Sequence, residues 1–191
     1  LCEEERCQDA VEMVNALAKL FRISISKGHE LIPIEKEVEH ARSYLKIQNF
    51  RYKNQFSYEF QVEEDCLQYY CNKITLQPII ENAIYHGLDR MVDEGRILIR
   101  IYSEGEDVVF RVEDNGVGIA EDELHRVRKN LRERSGPIER RADSSRSTGI
   151  ALRNVNRRIQ FYFGMQYGVD VASTQDIGTT VIVTLPQMRG N

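Results

Sequence analysis

Four short runs of this 191-residue chain carry residue types that could do chemistry. The first spans Gln77, Pro78, Ile79, Ile80, Glu81, Asn82, Ala83, Ile84, Tyr85, His86 and Gly87. On a helix, Ile79, Ile80, Ala83 and Ile84 fall on one buried side and leave Asn82, Tyr85 and His86 on a polar side. An Asn amid apolar residues is costly unless satisfied. Its carboxamide oxygen suits Mg²⁺, a hard cation that takes few protein ligands besides waters and substrate phosphates. A hydrogen bond to neighbouring backbone would satisfy it equally well. The second run is Asp114, Asn115, Gly116, Val117 and Gly118, directly after a strand pattern. Its two glycines let backbone approach a ligand closely. Its carboxylate can accept from the exocyclic amine of adenine, where guanine presents a carbonyl oxygen. Asp-Asn-Gly is also ordinary turn chemistry.

In the third run, Thr148, Gly149, Ile150, Ala151, Leu152, Arg153 and Asn154 open a helix. Free amides at a helix start bind phosphate, although a start capped by Ser147 or Thr148 would look the same. The fourth run, Gly178, Thr179 and Thr180, enters the last strand and reads equally as a hairpin turn. The elements that must position these runs follow from periodicity. Ala10, Val14, Leu17, Leu20 and Phe21 predict a helix from Glu3 to about Ser26, stopped near Gly28. Ile34, Val38, Ala41 and Leu45 predict a second helix to about Tyr52, with Glu35, Glu37 and Glu39 crowding its first turns. Phe56, Tyr58, Phe60 and Val62 alternate as a half-buried strand. A helix over Lys73 to His86 follows, then a hairpin of Arg96–Ser103 and Val108–Glu113 around Glu104-Gly105-Glu106-Asp107. A short helix over Glu121–Arg132, a loop over Arg134–Ser147, a helix over Thr148–Phe163 and strands Val169–Ser173 and Thr179–Leu185 complete the chain. The order predicts an α/β two-layer sandwich: a mixed, mostly antiparallel sheet with helices on one face, preceded by a helical hairpin. The expected boundary separates residues 1–54, a helical tail and linker, from 55–191.

Together, in this order and spacing, the four runs resemble the N, G1, G2 and G3 boxes of the gyrase, Hsp90, histidine kinase and MutL ATPase superfamily. The first run is similar to the N box of LytS-like and YesM-like sensor histidine kinases. So are Leu152 to Ile159 after the third run, and Leu45, Lys46, Ile47, Gln48, Arg51 and Tyr52 in the second helix. The resemblance covers nearly the whole chain and implies a Bergerat-type fold with Mg²⁺ and ATP between a central helix and a lid over about Val127–Ser147. Carried over by position, Asn82 would ligate Mg²⁺, with Tyr85 and His86 near the phosphates. Asp114 would read adenine against a wall shaped by Gly116 and Gly118, with Thr179 at its floor. Thr148, Gly149 and Leu152 complete the nucleotide-binding set.

Two departures matter. Ala151 stands where the G2 box usually has a second glycine. Pro78 stands four residues before Asn82, where the superfamily's ATPases carry a carboxylate base; proline cannot activate water, which favours phosphoryl transfer over hydrolysis. No His-Phe-Leu-type acceptor motif occurs; His29 falls in a loop, His40 on a charged helix face and His125 on a surface-like helix, and all three read as structural or solvated. The acceptor is therefore expected upstream, and this chain is not expected to autophosphorylate alone. The resemblance implies a response-regulator partner and a homodimer in the full-length protein. A non-catalytic nucleotide-binding module is the alternative, kept open by Ala151.

Composition excludes other classes. A net charge of −4 gives no pull towards nucleic acid, and no stretch approaches the ~20 apolar residues of a membrane span. Cys2, Cys7, Cys66 and Cys71 lack partners at a zinc spacing. A start at Leu1 instead of Met predicts a piece of a longer chain; the resemblance implies the cytoplasmic domain of a membrane-bound sensor kinase, without membrane contact of its own.

Overall fold

The computed structural model describes residues 2–25, 30–53, 55–88, 94–133 and 147–190, without the side chains of 2–6, 9, 23–25, 86–88, 147 and 148. The expected stop at Gly28, the histidine at 29 and the loop over 134–146 lie outside the described residues. Two helices lead, α1 (Cys2–Ile25) and α2 (Ile34–Arg51), with the three-residue β1 (Leu31–Pro33) between them. Then follow β2 (Phe56–Val62), a 3-10 turn (Glu64–Gln68), β3 (Tyr70–Asn72) and α3 (Leu76–Asn82), which continues as a π-helical turn over Ala83–Leu88. The hairpin β4 (Gly95–Glu104) and β5 (Asp107–Asp114) comes next. Helices α4 (Glu121–Arg132) and α5 (Ser147–Phe163) and the hairpin β6 (Gly168–Thr174) and β7 (Gly178–Pro186) finish the chain.

The main sheet has the order β2-β4-β5-β7-β6. Every pair in it is antiparallel except β2 with β4, which run parallel. A parallel pair needs a crossover, and α3 lies in that crossover. The helix bearing the first run is thus anchored at both ends by neighbouring strands. Two short strands escape the periodicity reading: β1 pairs antiparallel with β3, Leu31 opposite Asn72. Three residues are too few for alternation to show.

Alternation in the longer strands separates the two faces of the sheet. Ile97, Ile99 and Ile101 of β4, Val108, Phe110 and Val112 of β5, and Val181, Val183 and Leu185 of β7 are buried. They meet Ile34, Val38, Ala41 and Leu45 of α2, Ile79, Ile80 and Ile84 of the α3 run, and Leu152, Val155 and Ile159 of α5 in one core. On the opposite face Glu113 pairs with Arg100 and, at 3.0 Å, with Arg111. This is the expected layering, with one revision. His40, expected on a charged helix face, is fully buried, as is Glu37. The inward stripe of α2 runs through Ile34, Glu37, Val38, Ala41, Tyr44, Leu45 and Gln48, and the charged look comes from Glu35, Lys36 and Glu39 on the other side. Val14, Leu17 and Phe21 of α1 are exposed, while Leu20 of the same stripe packs against the core, so among the described residues most of the stripe that predicts α1 finds no cover.

Phe110 is fully buried, whereas Phe161 is 82% exposed. Phe110→Ala is therefore expected to cost about 3–5 kcal/mol and Phe161→Ala no more than about 0.5 kcal/mol in urea unfolding. Similar losses at both positions would contradict this assignment of the core.

Candidate functional site

Three of the four runs converge at one end of the sheet. Asp114 ends β5 and lies opposite Thr179 on β7. Its Oδ1 accepts from the backbone N–H of Gly116 at 2.9 Å, which closes the turn. Burial raises its carboxyl from 3.8 to about 6, against the downward pull of the Gly116 and Thr179 N–H groups. Asn115 points the other way and stitches the turn to β4: its Oδ1 accepts from Arg96 N at 2.6 Å and its Nδ2 donates to Glu94 O at 3.2 Å. The Asp114 carboxylate thus closes its own turn, and Asn115 joins that turn to β4.

The glycines of this wall are demanded by backbone crowding. Gly118 has φ +65°, and a Cβ there would overlap the carbonyl of Thr174. At Gly178, φ +144°, a Cβ would overlap the carbonyl of Asp114 itself. The β6–β7 turn and the Asp114 turn therefore meet backbone to backbone, and Asp176 N donates to Val117 O at 2.8 Å. Ser173, which no sequence pattern singled out, ties the parts together. Its Oγ accepts from Ile119 N at 2.8 Å, donates to Gly178 O at 2.8 Å and lies 2.9 Å from the Thr179 hydroxyl.

Asn82 is the last residue of α3, immediately before the π-helical turn. Such turns are rare and recur at functional sites. This one lies against β4, β5 and β7, the strands that carry the Asp114 wall. The Asn82 Nδ2 is buried without a hydrogen-bond partner, so this nitrogen is not spent on neighbouring backbone. That nitrogen is a donor and cannot ligate a cation; the fit to a hard cation such as Mg²⁺ rests on the carboxamide oxygen of the same group. Among the described residues no cluster of three or more His, Cys, Asp or Glu could hold a metal unaided. Tyr85 faces α2: its hydroxyl accepts from Arg51 Nη1 at 3.1 Å and its ring meets Tyr52 edge-on. His86 lies in the π-helical turn, its side chain outside the described set.

The third run starts α5, which packs on α3, α4, β6 and β7. Among the described residues, a Cβ at Gly149 would meet only Asn130 Nδ2 at 3.9 Å, ordinary contact, so packing does not require glycine there. Leu152 is buried in the core and could touch a ligand only through backbone. Asn156, also missed, donates to Leu131 O at 2.9 Å and accepts from Val169 N at 2.8 Å, binding α5 to α4 and β6.

These runs fall within a region shared with known proteins. The family model of histidine kinase-, DNA gyrase B- and HSP90-like ATPases matches residues 71–189. The chain belongs to that family. A second family model, for histidine kinases, matches residues 1–56. The chain is 27% identical over 179 residues to the sensor histidine kinase BtsS of Escherichia coli K12, covering 94% of this chain and 28% of that one. It is 30% identical over 175 residues to the sensor histidine kinase YesM of Bacillus subtilis 168, covering 92% and 27%. Against the sensor protein LytS of Bacillus cereus the identity is 26% over 191 residues, covering 100% and 31%. This chain therefore spans less than a third of each of these relatives. The fold matches the histidine kinase domain of an Erythrobacter litoralis blue-light activated kinase, with TM-score 0.53, 17% identity, and 94% and 75% of the two chains covered. It also matches the nucleotide-free catalytic domain of the histidine kinase ThkA, with TM-score 0.57, 13% identity, and 83% and 95% covered.

The raised carboxyl of Asp114 has a consequence for stability. Between 3.8 and about 6 the folded chain holds a proton that the unfolded chain has lost, so stability falls as pH rises through this window. Asp114→Asn removes this dependence. Its stability advantage over wild type should grow between about pH 4 and pH 7, by on the order of 2 kcal/mol. Parallel stability–pH curves for the two proteins would show that Asp114 is not buried as described.

Proposed function

We propose that this chain is the Mg-ATP-binding catalytic portion of a sensor histidine kinase. The γ-phosphoryl group would pass to a histidine upstream of residue 1, for relay to an aspartate of a response regulator. The observation that carries this reading is the placement of the buried Asp114 wall on β5 and β7 beside the π-helical turn that Asn82 leads into. Asp114 accepts from the adenine amine, Gly116 and Gly118 keep that wall free of side chains, and Thr179 lies at its floor. Asn82 supplies a neutral oxygen to Mg²⁺; when bound, the ion offsets phosphate charge. Thr148, Gly149 and Leu152 offer backbone at the start of α5, and His86 lies beside the phosphates. Tyr85 belongs to the same helical run and acts through its hold on α2. Phosphoryl transfer asks a protein mainly for positioning and charge stabilisation, which these groups provide.

Pro78 supports transfer over hydrolysis, since it occupies the first turn of α3 where a hydrolysing relative would carry a base. The exposed Val14, Leu17 and Phe21 support pairing of α1 with a second copy in the full-length protein. Residues 55–191 would form the nucleotide-binding unit and 1–54 the arm that joins it to the dimer. Among the described residues no helix is long and apolar enough to cross a membrane. A membrane anchor for the parent protein is therefore assigned to sequence outside this chain, which would stand on the cytoplasmic side.

Calorimetry with Mg-ATP tests the pocket: Asp114→Ala should weaken binding about tenfold or more. Equal affinity of variant and wild type would remove Asp114 from the site. With the upstream helix restored, labelled ATP should leave acid-labile, alkali-stable phosphate on the protein. Intact binding without such transfer would favour the non-catalytic module that Ala151 keeps open.

A further inference from the structure

Glu37, Tyr44 and Arg51 stand seven residues apart on α2, so they share one face of that helix. Each meets a different level of the helical run that carries Asn82. At the bottom, the fully buried carboxylate of Glu37 accepts from the backbone N–H groups of Ile74, Thr75 and Leu76 at 2.8, 2.7 and 2.7 Å. These are the donors that a helix start leaves without partners. The cap residue of α3, Thr75, makes no side-chain bond to its helix; its hydroxyl donates to Asn72 O at 2.7 Å instead. Pro78, in the same first turn, has no N–H to satisfy. The cap therefore comes from another helix.

Ile74 itself has φ +57°, a conformation that a β-branched residue adopts only when its surroundings force it. Both sides of Ile74 are gripped by charged groups: Glu37 takes its N–H, and Arg158 of α5 donates to its carbonyl at 2.7 Å. At the middle level the buried phenol of Tyr44 lies beside Glu81 and Tyr85. Burial, then the Glu81 charge, then Tyr85 hold it protonated. At the top, Arg51 donates to the Tyr85 hydroxyl at 3.1 Å. Tyr85 is one turn beyond Asn82.

We propose that Glu37, Tyr44 and Arg51 form a polar ladder by which α2 sets the axial and rotational position of Asn82, which makes all three positioning residues for metal-nucleotide binding. The proposal rests on the reading of Asn82 as the metal-side ligand. Apolar packing alone would let α3 slide or turn against α2, whereas polar contacts at three levels fix its register. The adenine wall is mounted separately: Asp114, Thr179 and Ser173 hold one another through β5, β6 and β7. The ladder thus bears on the metal half of the site and spares the adenine half.

The test is calorimetry of the whole chain with ATP, once in EDTA and once in excess Mg²⁺, on wild type, Glu37→Ala and Arg51→Met. The ratio of the two affinities is the metal-dependent gain. In Glu37→Ala this gain should fall about tenfold or more, and in Arg51→Met by about twofold or more. The metal-free affinity should stay within about twofold of wild type, because a Kd change of that size is well under 1 kcal/mol. A merely structural role would lower both affinities together, and that result overturns the proposal. If Glu37→Ala does not fold, Arg51→Met and Tyr44→Phe carry the same test, since both leave the cap in place. A wild type that binds Mg-ATP while the folded variants keep its full gain overturns the ladder alone. A wild type that binds no nucleotide overturns the proposed function and the ladder with it.

Discussion

The start of α3 depends on one buried carboxylate. Glu37 has no access to water, and burial raises its pKa in spite of three backbone donors and the nearby Arg158 charge. A carboxyl group there is costly in isolation. It is tolerated because α3 begins with donors that its own residues leave unanswered, and the bonds settle both debts at once. Remove the acceptor, and three backbone N–H groups, two of them buried, lose their partner at the point where Ile74 is already held in an unfavourable conformation. The fold places a polar knot at the meeting of α2, α3 and α5, where hydrophobic contact alone would have sufficed for cohesion.

Much of the architecture was legible in the chain because its signals are local. The alternation of Ile97, Ile99 and Ile101, the turn at Gly105 with φ +62°, and the stripe of Leu152, Val155 and Ile159 each lie within one window of sequence. Asp114, Gly118 and Gly178 were legible for the same reason: each sits in a turn whose residue types announce it. Glu37 was not, because its partners lie 37 to 39 residues away in a turn that no periodicity describes. In sequence it was one of several glutamates in an acidic first turn. His40 was misplaced by the same signal, since charged neighbours on the outer side hid an inward stripe. Tyr85 shares a helix face with Asn82 on an ideal 3.6-residue wheel, and its hydroxyl meets Arg51 of α2, a partner 34 residues away that no local signal announces.

The site is carried by two mountings. One is the β5-β7-β6 side of the sheet, where turns meet backbone to backbone and leave no room for a side chain at Gly118 or Gly178. The other is the α3 run, which rests on α2 through side chains. The first has little freedom because it is built from hydrogen-bonded strands, and the second has whatever freedom its three polar contacts allow. α5 joins the two: Arg158 reaches the start of α3 while Asn156 holds α4 and β6. Charged residues on the far face, Arg100, Arg111 and Glu113, are partly exposed and add little to cohesion.

The π-helical turn after Asn82 has a genetic meaning. A π turn holds one more residue than the α-helical turn it replaces, so it corresponds to a single inserted codon. Each residue of an α-helix advances about 100° around the axis. Deleting one codon between Ala83 and Leu88 would let the run close into regular α-helix, and everything on one side of the deletion would rotate by that angle relative to the other. Asn82 and Tyr85 could then no longer face their present neighbours together. The reading frame would survive while the contacts of this run with α2 fell out of register.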